Sequence, residues 1–124
     1  AISDAGITLG DDRTWNLPES SERFASIAAK EALSSTPRPN VLLCMSDLIA
    51  LAAMREALKM GLSIPEDVRI VGFDGIDEGQ RFVPKLTTVH QNSEEKGRIA
   101  ATLFLSKEQQ TAEIDYQLQL GQSS

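Results

Sequence analysis

Asp74 and Gly75 close the apolar run Val68-Arg69-Ile70-Val71-Gly72-Phe73, and they are the sharpest chemical feature of this chain. A carboxylate at the end of a strand accepts hydrogen bonds and cannot donate them, so it suits a ligand rich in hydroxyl or N–H donors. Bonds of this charge-assisted kind are the stronger ones. Gly75 beside it leaves room for close approach. The plainer reading of Asp-Gly is a strand-ending turn, and pattern alone does not separate the two. Groups for catalysis are missing. His90 is the single histidine and lies in an extended segment, and no serine stands in a GxSxG elbow, so a hydrolase triad has no support. Neither a GxxxxGK[ST] loop nor a GxGxxG turn is present. Cys44 is the single cysteine; it sits inside Val41-Leu42-Leu43-Cys44-Met45, where it reads as a small buried residue. One cysteine excludes an internal disulfide framework, and one Cys with one His gives no zinc spacing. We expect no enzyme, no metal and no cofactor.

The elements that must position Asp74 follow from periodicity. Asp12–Asn16 has the character of a short strand. Asn16-Leu17-Pro18-Glu19 reads as a capping box opening a helix to about Leu33, with Phe24, Ile27, Ala28 and Ala32 on one face. Two prolines between Ser34 and Asn40 break it. Val41–Met45 is apolar without alternation, which suits a strand covered on both faces. Ser46 or Asp47 can cap the next helix, Asp47 to Met60, which stops at Gly61. Ser63–Asp67 reads as a turn, Val68–Phe73 as a strand, residues 76–85 as irregular, and Leu86–Gln91 as extended. Ser93 opens a helix with the stripe Ile99, Leu103 and Phe104. Gln109-Gln110 reads as a loop. Ile114–Leu120 alternates like a half-exposed strand. Strands alternating with helices argue for right-handed crossovers and an α/β fold with a parallel, doubly wound sheet. Ligands bind such sheets beyond the C-terminal strand ends. Asn16, the Ser46-Asp47 pair and Asp74 all fall there, which places a polar cleft.

A length of 124 residues suits one domain, and 41% hydrophobic with 24% charged residues is ordinary for a globular protein. The net charge of −6 would repel phosphates, so these residues are not expected to hold DNA. No apolar run reaches the roughly 18–20 residues that span a bilayer, so no membrane partner is expected. The first ten residues carry no signal-peptide pattern. They lack Met, and Ala5-Gly6-Ile7 reads as a helix end, so a fragment is expected. Leu48 to Met54 is wholly non-polar, and such a run covers every face of a helix. A helix on a sheet needs one apolar stripe. Its outer face therefore requires another helix, another domain or another chain.

Three stretches in order carry a family resemblance. Met45-Ser46-Asp47-Leu48-Ile49-Ala50-Leu51-Ala52-Ala53-Met54-Arg55 resembles the A-N-D-x-M-A-x-G-A-x-R stretch of LacI/GalR transcription regulators. Gly61 to Asp74 is similar to their G-L-x-I-P-x-D-V-x-V-V-G-F-D, and Pro84 to Gln91 to their P-x-L-T-T-V-x-Q. The resemblance covers roughly residues 5–120. It implies the C-terminal lobe of a periplasmic-binding-protein-like core in a cytoplasmic homodimer. A small effector, often a sugar or purine, would bind between two lobes. Operator DNA would be held by a helix-turn-helix absent from this chain. Residues 1–89 would belong to the C-terminal lobe, 90–108 to the crossover and a helix of the N-terminal lobe, and 109–124 to a strand returning to the C-terminal lobe.

Carried over, Asp74 and Gln91 match effector-side positions, while Leu51 and Phe82 match dimer-interface positions. With the strand-end residues Ser46, Asp47 and Asn16, these give the expected effector set, and Leu48 joins the expected interface. Ser46 stands where the family usually has Asn, Gly75 where a second Asp is common, and Gln119 with its neighbours where an Arg-containing ending is usual. The family's upstream arginine contact would lie before Ala1. A periplasmic sugar-binding protein of an ABC transporter shares Gly72-Phe73-Asp74-Gly75 and is the alternative, but Ile64-Pro65-Glu66-Asp67 and Leu86-Thr87-Thr88 favour the regulator.

Overall fold

A computed structural model of the chain describes residues 4, 6, 8, 10–106 and 111–124. Four strands form one mixed sheet in the order β1 (Val41–Leu43), β2 (Arg69–Asp74), β3 (Thr87–Gln91), β4 (Tyr116–Gln119). The β1–β2 and β2–β3 pairs are parallel, with Leu42 opposite Ile70 and Asp74 opposite His90. β4 runs antiparallel to β3, so the sheet is not wholly parallel as its first strands suggest. The returning strand pairs with the far side of β3, which a chain coming back from a helix beyond β3 reaches in the reverse direction. Where β2 and β3 diverge, Ser123 joins them. Its Oγ donates to the Ile70 carbonyl at 2.6 Å and accepts from the Thr87 N–H at 2.9 Å.

The helices are α1 (Glu22–Ser34), α2 (Asp47–Lys59), α3 (Asp77–Arg81) and α4 (Ser93–Ser106). The core lies between the sheet and α2, with α1 stacked outside α2. Leu33, Met54, Ala57, Val68, Ile70 and Leu86 are fully buried there. This stacking explains the all-round apolar run of α2: one face meets β2 and the other meets α1. Small residues at Ala50, Ala53 and Ala57 on α2 and at Ala29 on α1 let the layers approach. α2 ends at Lys59 with Met60 as its C-cap, just before the Gly61 stop.

Several local readings give way to tertiary structure. Asp11–Arg13 is a single 3-10 turn and Thr14–Asn16 forms no strand. α1 starts after Ser21 and not at Asn16; Asn16, Leu17 and Pro18 instead line a groove with Phe24, Ile27 and Glu31 of the helix. Its buried face is Ala25, Ala29, Ala32 and Leu33, while Phe24, Ile27 and Ala28 line a groove with Trp15 and Leu17. The segment after Asp74 contains α3, a short helix where irregular chain was expected. β1 is an edge strand with one open face: Leu43 is 64% exposed. The covering on both faces that its apolar run suggests is therefore not what these residues show. The apolar residues of β4, Tyr116 and Leu118, are likewise exposed. α4 forms as expected, yet none of its residues is buried, and Phe104 is 83% exposed. Of the readings near the ends, Gly6 lies in a turn at φ +72°, while Ala5, Ile7 and Gln109-Gln110 lie outside the described residues.

Candidate functional site

The parallel ladder of β1 and β2 brings Ser46 and Asp74 to the same edge of the sheet, beyond the C-terminal strand ends. Asp74 has φ +123°, a backbone conformation that non-glycine residues rarely adopt and that costs about 1–3 kcal/mol unless its surroundings hold it. Asp47 supplies the hold. Its Oδ2 accepts the N–H groups of Gly75 and Ile76, each at 2.8 Å, and its Oδ1 accepts the Thr88 hydroxyl at 2.6 Å. One carboxylate thus ties the start of α2 to the turn after β2 and to the middle of β3. The approach depends on Gly72, where a Cβ would lie 2.2 Å from Asp47 Oδ1.

This geometry corrects one expected contact. Asp47 is 0% exposed and its carboxylate points into the protein, so it shapes the site without facing a ligand. Ser46 is the N-cap of α2, its Oγ accepting the Ile49 N–H at 3.4 Å, and remains half-buried at the edge. Gly75 also has a different use from the one expected. A Cβ there would meet His90 Nδ1 at 2.2 Å, so the missing side chain makes room for His90 and not for a ligand. His90 Nδ1 lies 3.2 Å from the Gly75 carbonyl oxygen, to which its Nδ1–H tautomer donates.

Asp74 and Gln91 do meet. Gln91 Nε2 donates to Asp74 Oδ1 at 3.0 Å, and both side chains are half-buried. Gln91 also borders a groove of about 320 Å³ with Phe73, Asn92, Lys96, Asp115 and Tyr116. Lys96 Nζ donates to Gln91 Oε1. Sequence reasoning missed Lys96, although its place five residues after Gln91, one turn into a helix, is a signal that could have found it. Asn16 is not brought to this edge by any described contact; it lines a separate groove of about 370 Å³ beside α1, with Trp15, Phe24 and Glu31.

Of the expected interface residues, Leu51 is 4% exposed and packs within the core of its own chain, so it is not available to a partner here. Leu48 is 44% exposed, and Phe82 is half-buried beneath the Arg55 guanidinium, 5.8 Å from its ring centroid. Arg55 also pairs with Glu22 at 3.0 Å, joining α1 to α2. The Cys44 thiol is pushed up to about 12 by loss of water and, secondarily, by the Asp47 carboxylate, so it stays a neutral thiol. Among the described residues no cluster could hold a metal, and no helix is long and apolar enough to cross a membrane.

Comparison with known proteins agrees with this architecture. The model of the periplasmic binding protein-like domain family matches residues 4–120. The HTH-type transcriptional repressor PurR of Erwinia tasmaniensis is 34% identical over 92% of this chain and 35% of its own length. A protein of known structure from Actinobacillus succinogenes superposes with a TM-score of 0.90 at 32% identity, over 99% of this chain and 46% of that one. A LacI family transcriptional regulator from Lactobacillus casei, with bound sucrose, superposes at 0.85 with 19% identity, over 99% of this chain and 47% of that one; at that identity the likeness is one of fold. The chain spans about a third of the length of the curated relatives it matches. The chain belongs to the periplasmic binding protein-like domain family, in the form found in the C-terminal effector-binding region of LacI/GalR-type regulators.

Proposed function

We propose that this chain is the effector-sensing part of a cytoplasmic transcription regulator and that its effector is a polyhydroxylated, sugar-like molecule bound at the Asp74–Gln91 edge. The observation that carries the reading is Asp74 itself: a strained carboxylate at a strand end, held by a buried clamp and paired with an amide. A structure over-determines such a backbone where the side chain has work to do. Asp74 accepts and the Gln91 amide donates, a combination that a hydroxyl, both donor and acceptor, satisfies. A sugar has this chemistry, and the Lactobacillus casei regulator that shares the fold was solved with bound sucrose.

In this reading the C-terminal lobe comprises residues 1–89 with the returning segment 109–124, and residues 90–108 carry the crossover and a helix of the other lobe. The absence of buried residues on α4 supports that division. Effector held between the lobes would alter their closure. It would thereby alter the affinity for operator DNA of a helix-turn-helix outside this chain, in a homodimer that uses Leu48 and Phe82. The test is thermal unfolding of the full-length protein with sucrose, glucose or adenine. A ligand at 100 times its Kd stabilises by about 2.7 kcal/mol, so a sugar is expected to raise the Tm. A rise with adenine and none with the sugars would overturn the sugar reading.

A further inference from the structure

Lys96 sits in an unusual place for a cation. The first turn of a helix favours acidic side chains, and Glu94 and Glu95 occupy it as expected. Lys96 follows them in the same turn. Asn92 fixes how that turn leaves β3: its Oδ1 accepts the Glu95 N–H at 3.0 Å and its carbonyl accepts the Lys96 N–H at 2.9 Å. The ammonium then reaches back over the strand end to the Gln91 side-chain carbonyl. The other end of that amide donates to Asp74.

We infer that Lys96 is a positioning residue for Asp74, acting through Gln91; the inference rests on the reading of Asp74 as the ligand-accepting carboxylate. A primary amide has one acceptor end and one donor end. An ammonium on the Gln91 oxygen leaves only the NH2 for Asp74. Asp74 only accepts, so it favours the NH2 on its side by itself; the ammonium holds the oxygen end as well, and the amide is then pinned at both ends. The ordered amide engages Asp74 Oδ1, leaves Oδ2 for a ligand hydroxyl, and offers the second amide N–H beside it. Lys96 therefore fixes in place the amide–carboxylate pair that the ligand meets. Because Lys96 is carried by α4, the order of the site depends on how α4 leaves β3, which joins ligand recognition to the helix assigned to the other lobe.

The test follows the Gln91 side-chain amide by ¹H–¹⁵N correlation in the full-length protein, the signal assigned by its loss in Gln91→Ala. Lys96→Met is expected to move that signal toward its position in Asp74→Ala, and Lys96→Arg to leave it near wild type. With sucrose as probe, Lys96→Met should weaken binding ~3- to 5-fold, the scale of an exposed charged contact, and Lys96→Arg should restore it. An unmoved Gln91 signal in Lys96→Met overturns the inference. If the signal moves but Asp74→Ala binds sucrose like wild type, the Lys96–Gln91–Asp74 chain stands and the ligand reading falls.

Discussion

Replacing Asp47 by alanine should reveal what holds the site together. The substitution removes a fully buried carboxylate and leaves the Gly75 N–H, the Ile76 N–H and the Thr88 hydroxyl without their acceptor. A buried donor left unsatisfied costs about 1–3 kcal/mol. Gly75 and Ile76 are half-buried, so water can reach them and each falls near the low end, while Thr88 is buried and can turn its hydroxyl only within the protein. The sum for Asp47→Ala is about 3–5 kcal/mol. Asp47→Asn should be much milder, about 1–2 kcal/mol. Its amide oxygen can accept both backbone N–H groups while its NH2 donates to Thr88 Oγ1, so only the hydroxyl proton of Thr88 loses a partner. Urea unfolding of the full-length protein and both variants measures the difference, with m-values checked for constancy. The reasoning fails if Asp47→Ala lies within about 1 kcal/mol of wild type at unchanged m, or if Asn proves as damaging as Ala.

Gly72→Ala places a Cβ 2.2 Å from Asp47 Oδ1 and 3.1 Å from Leu86 Cδ2, so it should destabilise by about 1–3 kcal/mol, read from the shift in Tm. Cys44 should resist iodoacetamide at pH 8 in the folded protein and react on addition of denaturant, because its thiol is held at about 12. The stability that comes from keeping this thiol neutral is complete below the ordinary value of 9.0 and is lost as pH rises from there toward 12, so a titration in that window should show unfolding become easier. Leu48→Lys should shift sedimentation toward monomer without loss of circular dichroism, whereas Leu51→Lys buries a charge in the core and should unfold the chain.

Much of the arrangement is legible in the residue pattern because it rests on period and strand ends. The β2 and β3 runs, the Gly61 stop and the acidic residue after Phe73 suffice to put Asp74 at the C-terminal end of its strand; Gln91 comes from the family resemblance, and its place as the last residue of the next parallel strand is what brings it beside Asp74. What escapes the pattern depends on direction and partnership. Asp47 and Ser46 both read as possible helix caps at the polar cleft. Which of them turns inward is decided by Gly72 and Thr88, residues more than twenty positions away in sequence. Leu51, which the resemblance puts at a dimer interface, is buried in the core of its own chain. Asn16 through Glu19 satisfies the local rule for a capping box, but Asn16, Leu17 and Pro18 line a groove with Phe24 and Ile27 instead. Ser123, which joins β2 to β3, lies in a tail with no periodic signal at all.

If Asp74 accepts hydrogen bonds from a small polyhydroxylated effector, as proposed, its removal must weaken binding. Isothermal titration calorimetry of the full-length protein, wild type against Asp74→Ala, measures this most directly, using the sugar that raises the Tm. Loss of one charged hydrogen bond is worth about 1.5–3 kcal/mol, so the variant should bind roughly 10- to 150-fold more weakly, with its fold and its affinity for DNA retained. Wild-type affinity in a folded Asp74→Ala protein would contradict the account and leave Asp74 as a turn residue.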